Sequence, residues 1–115
     1  MHVNIDDSQH NVTVLYLSGD VDMQEVSTFR QTLKSAVEQA KRGVIVELTE
    51  VPFVDSSGIA VLIEGLKWSR EKAQPFVLAH LSSSVRMVME LSHLESVFTI
   101  ADNLDDAFMK IAHAS

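Results

Sequence analysis

Two adjacent serines, Ser56 and Ser57, stand between an acid, Asp55, and a glycine, Gly58, in the stretch VDSSGIAVLIEGLKW. The first chemistry to test is nucleophilic. A nucleophile elbow reads G-x-S-x-G. The residues around Ser56 are Val54, Asp55, Ser57 and Gly58, so the flanking glycine pattern fails. A triad also needs a placed histidine, and His2, His10, His80, His93 and His113 are scattered. His80, at the end of a predicted strand, is the one that could approach the loop. The second chemistry is metal binding. GDVD puts Asp20 and Asp22 at i, i+2, on one side of an extended chain. No third ligand stands at a recognisable spacing, and neither an EF-hand loop nor H-E-x-x-H is present. A solvated turn, with Asp22 capping the helix that follows, is favoured over a metal site.

Two readings of the serines remain. Asp55, Ser56 or Ser57 could cap a helix, since their oxygens accept the free N–H groups of a first turn. The same free amides and the positive end of the helix dipole make a seat for an anion. A phosphate there would add about −1.5 to −2 charge and three strong acceptors. Gly58 leaves room for a modifying enzyme. Asp55 would repel the phosphate, so modification would drive off a partner rather than tighten the domain. By chemistry alone, the cap is at least as well supported as the phosphate.

The segment after the serines has helical periodicity. Ile59, Leu62, Ile63 and Leu66 gather on one face, assigned to the core. Val61, Gly65 and Trp68 fall on the other side, with Glu64 between them. Tryptophan is enriched at interface hot spots. The competing readings are that another element covers Trp68, or that it is a singly exposed apolar residue. The interface reading is favoured, because that face begins one turn from the serines.

The elements that must position these residues alternate. HVNI reads as a short edge strand and DDSQHN as a turn. VTVLYLSGDVD opens with a strand ending at Gly19. Val26, Phe29, Leu33, Val37 and Ala40 predict a helix from about Gln24 to Lys41, stopped by Gly43. VIVEL reads as a buried strand, Ser57 to Lys72 as the second helix, and PFVLAHL as another strand. One of Ser82, Ser83 and Ser84 caps a third helix; SVFTI is the last strand; Asp102 or Asn103 caps the last helix. The order β-β-α-β-α-β-α-β-α predicts an α/β domain whose mixed sheet has four or five strands, with about four helices packed against it. The serine loop then falls at the carboxyl end of a parallel strand, where such folds carry their sites.

The chain of 115 residues suggests one domain over residues 1–115, large enough for a real core. It has no cysteine, which excludes disulfides and thiolate metal sites and fits a cytoplasmic setting. The net charge of −7 argues against nucleic acid and against an anionic membrane surface as partners. No apolar run approaches the roughly 20 residues of a membrane helix, so direct membrane insertion is not expected. No signal-peptide core is visible, and no cofactor is implied.

The residues carry a resemblance. VDSSGIAVLIEGLKWSREK, Val54 to Lys72, and SGDVD, Ser18 to Asp22, resemble the motifs of the STAS family, the bacterial anti-sigma-factor antagonists. The family pairs a G-[ED]-[LV]-D turn with D-S-[ST]-G-[LI] opening a helix. The segment from Ser82 to Phe108 resembles the family's C-terminal part. The resemblance covers nearly the whole chain. It implies that Ser56 is the phosphoacceptor, with Ser57 the alternative. It implies a partner-switching role: the unphosphorylated protein binds a serine kinase or anti-sigma factor of the histidine-kinase-like ATPase type, phosphorylation releases it, and a PP2C-type phosphatase resets it. The antagonist itself catalyses nothing. The expected partner surface joins Asp20, Asp22, Asp55, Ser56, Ser57 and Gly58 to Val61, Glu64 and Trp68. Members regulate stress, sporulation or, in SypA-like proteins, biofilm output. The alternative is the branch that serves as a subunit of lipid-transport ABC systems. One departure stands at Gly58-Ile59-Ala60, where G-L-G is common; it bears on partner identity rather than fold.

Overall fold

The computed structural model describes residues 1–114. The first hairpin pairs β1 (His2–Gln9) with β2 (Val12–Ser18) in antiparallel register. His10 and Asn11 make the turn, both left-handed at φ 56° and 60°. Two such residues give a turn whose twist matches that of the strands. The predicted turn therefore shrinks to its last two residues, and Asp6 to Gln9 continue the strand past an irregularity. The elements that follow are α1 (Val26–Gln39), β3 (Val44–Glu50), α2 (Ser56–Glu71), β4 (Phe76–Ala79), α3 (Ser83–Leu91), β5 (Thr99–Ala101) and α4 (Leu104–Ala112). The five strands lie in chain order, and every pair after the first is parallel. The predicted class, strand number and helix number all hold.

Side chains alternate across the sheet with period two. Leu15, Leu17, Val46, Leu48 and Leu78 face one way and pack with Phe29 and Leu33 of α1, Leu62 of α2 and Val85 and Met89 of α3. Val12, Val14, Ile45, Val77 and Ala79 face the other way, against Ala107 and Ile111 of α4. The sheet is thus the middle layer, with three helices on one side and one on the other.

Two helix ends differ from expectation. Asp22 does not cap α1; its Oδ1 accepts from the Gln24 amide at 3.0 Å in a turn that precedes the helix. The helix itself starts at Val26 behind Glu25, which makes no side-chain cap. It ends at Gln39, before Gly43, with Ala40 already extended. Asn103 and Ser82 do cap α4 and α3, accepting from Asp106 and Val85 at 2.8 and 3.2 Å.

Candidate functional site

The strands β2 and β3 end side by side, so the segments that leave them meet. Val21 and Val54 form an isolated parallel bridge. The Val21 amide donates to the Phe53 carbonyl at 2.9 Å, and the Asp55 amide donates to the Val21 carbonyl at 3.1 Å. The two motifs seen in the sequence are therefore stitched together by backbone. Asp20 is exposed on this join, and Asp22 is half-buried.

Asp55 is the N-cap of α2 and organises the whole loop. Its Oδ1 accepts from the Ser57 amide at 3.0 Å, the Ser57 hydroxyl at 2.5 Å and the Gly58 amide at 3.1 Å. Its Oδ2 accepts from the Met23 amide at 3.1 Å, in the segment that leads to α1. The Ser57 hydroxyl, then the Gly58 amide, hold the Asp55 carboxyl below its ordinary value by bonding the charged form. The amides that were expected to seat an anion are thus already taken by a carboxylate.

The two serines are not equivalent. The Ser57 hydroxyl is committed to Asp55 and half-buried. Ser56 is exposed at the first position of the helix. Gly58 is buried, and a Cβ there would lie 2.7 Å from Val54 Cγ1, 2.9 Å from Val21 Cγ1 and 3.0 Å from the Val21 carbonyl oxygen. The glycine lets the Val21 segment close onto the helix start, rather than leaving room for an enzyme. His80 hydrogen-bonds neither serine; its Nδ1 is 2.8 Å from Thr49 Oγ1, which also bonds Glu47.

The rest of α2 corrects the predicted helix phase. Ile59, Leu62 and Leu66 are buried as expected, but Ile63 is 41% exposed. Val61 is fully buried, and so are Gly65 and Ser69. A Cβ on Gly65 would meet Leu33 Cδ2 at 2.6 Å and Phe76 Cζ at 2.9 Å, so α1 and β4 press on that face. Glu64 pairs with Arg30 of α1 at 2.9 Å. Trp68 is half-buried against the core, with the Lys34 ammonium 6.0 Å from its ring centre. The face carrying Val61, Glu64 and Trp68 is thus the contact with α1. It is not a free second stripe, because α2 packs on the sheet and on α1 together and needs apolar residues over a wide arc.

The exposed stripe of α2 runs through Ser56, Ala60, Ile63 and Lys67. Phe53, 46% exposed, lies in the connector just before it. Further along, Ile63, Leu66, Lys67, Arg70, Glu71 and Val97 line an open groove of about 500 Å³. This surface is apolar at its centre and acidic at the loop, and it carries Lys67, Arg70 and Glu71 at the far end. Sequence reasoning missed it, although small residues at Gly58, Gly65 and Ser69 were a signal. They mark the side of a helix that another backbone approaches closely, and so leave Ile63 outside.

The described residues hold no helix long and apolar enough to cross a membrane. The STAS domain profile matches residues 5–107. The chain is 27% identical over 88 residues to the anti-sigma-B factor antagonist of Listeria monocytogenes, which covers 75% of each chain. It is 23% identical over 113 residues to the anti-sigma F factor antagonist of Paenibacillus polymyxa, covering 96% of this chain and 97% of that one. Among solved structures, an anti-sigma factor antagonist from Mycobacterium paratuberculosis superposes with a TM-score of 0.87 at 22% identity, covering 96% of this chain and 93% of the other. The anti-sigma factor antagonist SpoIIAA in its unphosphorylated form gives 0.81 at 21% identity, with 96% of both chains covered. SpoIIAA of Bacillus in its phosphorylated form gives 0.73 at 21% identity, covering 96% of this chain and 99% of that one. These structural likenesses bear on the fold.

Proposed function

This chain belongs to the STAS domain family, and we propose that it is a protein-binding switch of the anti-sigma-factor-antagonist kind, controlled by phosphate on Ser56. It carries out no catalysis of its own. In its unmodified form it binds a serine-kinase or anti-sigma-type regulator of the histidine-kinase-like ATPase class. Transfer of the ATP γ-phosphoryl group to Ser56 Oγ, with loss of the hydroxyl proton and departure of ADP, releases it. A PP2C-type phosphatase restores the hydroxyl. The output is transcription, stress or biofilm control in a cytoplasmic pathway.

The observation that carries this reading is the inequality of the two serines. Asp55 holds Ser57 by amide and hydroxyl together, while Ser56 is exposed at the first position of the helix. An accessible hydroxyl not committed to a neighbour is what a kinase must reach. The Listeria monocytogenes and Paenibacillus polymyxa relatives, both anti-sigma factor antagonists, support the same class.

The physical effect of the phosphate follows from Asp55. Asp55 already occupies the Ser57 and Gly58 amides, so a phosphate on Ser56 finds little of the usual cradle there. It instead adds about −1.5 to −2 charge beside a carboxylate, and burying that charge against a partner is costly. The partner surface in this reading is Asp20, Asp22, Asp55 and Ser56 with the exposed stripe of Ala60, Ile63 and Lys67. Ser57 and Gly58 shape it from beneath.

The test is a pull-down from native cytoplasm with wild type and Ser56→Ala, read by mass spectrometry, followed by ATP. Both baits should capture the same ATPase-type kinase, and ATP should release only the wild type. Phosphate mapped to Ser57 alone would reject the residue assignment. Capture of an ABC-transporter ATPase instead would reject the switch.

A further inference from the structure

A second site lies at the amino ends of β2 and β3, the end of the sheet away from Ser56. There the last turns of α4 leave a cavity of about 230 Å³ between the helix and the first hairpin. Its floor is apolar: Val12 and Ile111 are buried, and Phe108 is half-buried. Met109 and Ala112 lie at the rim with two polar side chains, His10 and Arg42, and among the described residues no acidic side chain lines the cavity. That is notable on a chain of net charge −7.

Both polar residues are held from the backbone. His10 sits at φ 56° in the hairpin turn, and its ring meets Phe108 edge-on with centres 5.3 Å apart. Left-handed backbone is uncommon for a residue with a side chain. The Arg42 amide donates to the Asn11 carbonyl at 3.1 Å, tying the residue to that same turn. Among the described residues the Arg42 guanidinium is in no ion pair. A guanidinium stays charged at any working pH and offers a planar fork of donors that matches a carboxylate.

We propose that this cavity binds a small apolar carboxylate, with the hydrocarbon part on Val12, Phe108 and Ile111 and the carboxylate on Arg42 and His10. Size fixes the class. An apolar cavity of about 150 Å³ accepts benzene, and drug-sized pockets begin at roughly 300 Å³. The space here suits one ring or a short acyl chain with its acid group at the rim. Arg42 selects the anion over its neutral analogue. The site stands at the opposite end of the sheet from the Ser56 loop.

Phenylacetate and hexanoate are the probes, with phenylacetamide as the neutral control, titrated into the full chain and followed by amide NMR. The acids should give saturable shifts at His10, Arg42 and Phe108 and none at Ser56. Phenylacetamide, and phenylacetate on Arg42→Gln, should each bind about tenfold more weakly or worse, the loss of one charge-assisted pair. Arg42 is exposed, so the variant should keep the wild-type spectrum elsewhere. Absence of saturable shifts at millimolar acid would overturn the site. Equal binding of acid and amide, unchanged in Arg42→Gln, would overturn anion recognition. Shifts centred on the Ser56 loop would overturn the location.

Discussion

At the scale of single residues, Asp55 does the most. One carboxylate receives four hydrogen bonds, closes the first turn of α2 and holds the segment that leads to α1. These bonds stabilise its charged form and lower its pKa, with the Ser57 hydroxyl first among them. The sign of the pH effect follows. A group whose folded pKa lies below its unfolded value contributes stability that is present above the unfolded value, about 3.9 for aspartate. That contribution is lost as pH falls through the folded value. Stability should therefore drop below about pH 4, and Asp55→Ala should flatten that part of the curve. Asp6, whose pKa is lowered by the Ser8 hydroxyl, contributes in the same window and remains in the variant. Denaturant melts of both proteins across acid pH separate the two; parallel curves would mean that Asp55 is not bound this way in solution. The sequence made Asp55 one of three candidate caps, and it could not rank them. That choice depends on where Met23 lies, which is set by pairing between residues far apart in the chain.

At the scale of elements, α2 is locked on two sides. Gly58 has no room for a methyl group against Val21 and Val54, part of it backbone. Gly58→Ala should thus destabilise by about 1–3 kcal/mol through overpacking, although alanine is the better helix former. A neutral or stabilising result in a melt would mean that the loop yields. The far end of α2 is tied to α1 by Lys72, just past the helix. Its Nζ donates to the carbonyls of Val37 and Glu38 at 2.8 Å and of Ala40 at 3.2 Å. These are the orphan acceptors of the α1 C-terminus, and a cation suits that end of the dipole. Lys72→Met, which keeps the stem, should cost about 1–2 kcal/mol, and hydrogen exchange should rise first in the last turn of α1. Within the helix, Leu62→Ala should lose about 2–5 kcal/mol, as burial requires. The periodicity of α2 was legible, and three of its four predicted core residues are buried. Its phase was not, since a helix pressed by both a sheet and a neighbour carries apolar residues on most of its circumference. The small residues, not the large ones, mark the tight side.

At the scale of the whole molecule, the strand and helix order could be read almost completely, because each element changes the period of its apolar residues where it begins. The extent of β1 could not, since it is a polar edge strand with little alternation to show. The chain-order sheet could not be read either, yet it brings the ends of β2 and β3 together and so creates the site. The same topology separates what holds the fold from what faces outward, and this gives a paired prediction on partner binding. Trp68 packs on the core beside α1, whereas Ile63 stands 41% exposed in line with Ser56. Trp68→Ala should lower stability by about 1–3 kcal/mol, the burial of a large side chain being partly lost, and leave affinity for the captured kinase within about threefold. Ile63→Ala should do the reverse: stability within about 1 kcal/mol, as for surface sites, and affinity down by about tenfold or more, as for an apolar anchor at the centre of an interface. Calorimetric titration with parallel melts reads both quantities. Loss of affinity in Trp68→Ala with stability intact would return the interface to the α1 side. Full affinity in Ile63→Ala would detach the exposed stripe from the switch. Ser56→Asp then belongs with Ile63: in the proposed switch it should keep the melting curve and lose the partner, because the added charge would stand on the proposed partner surface and not on the one that holds the helices together.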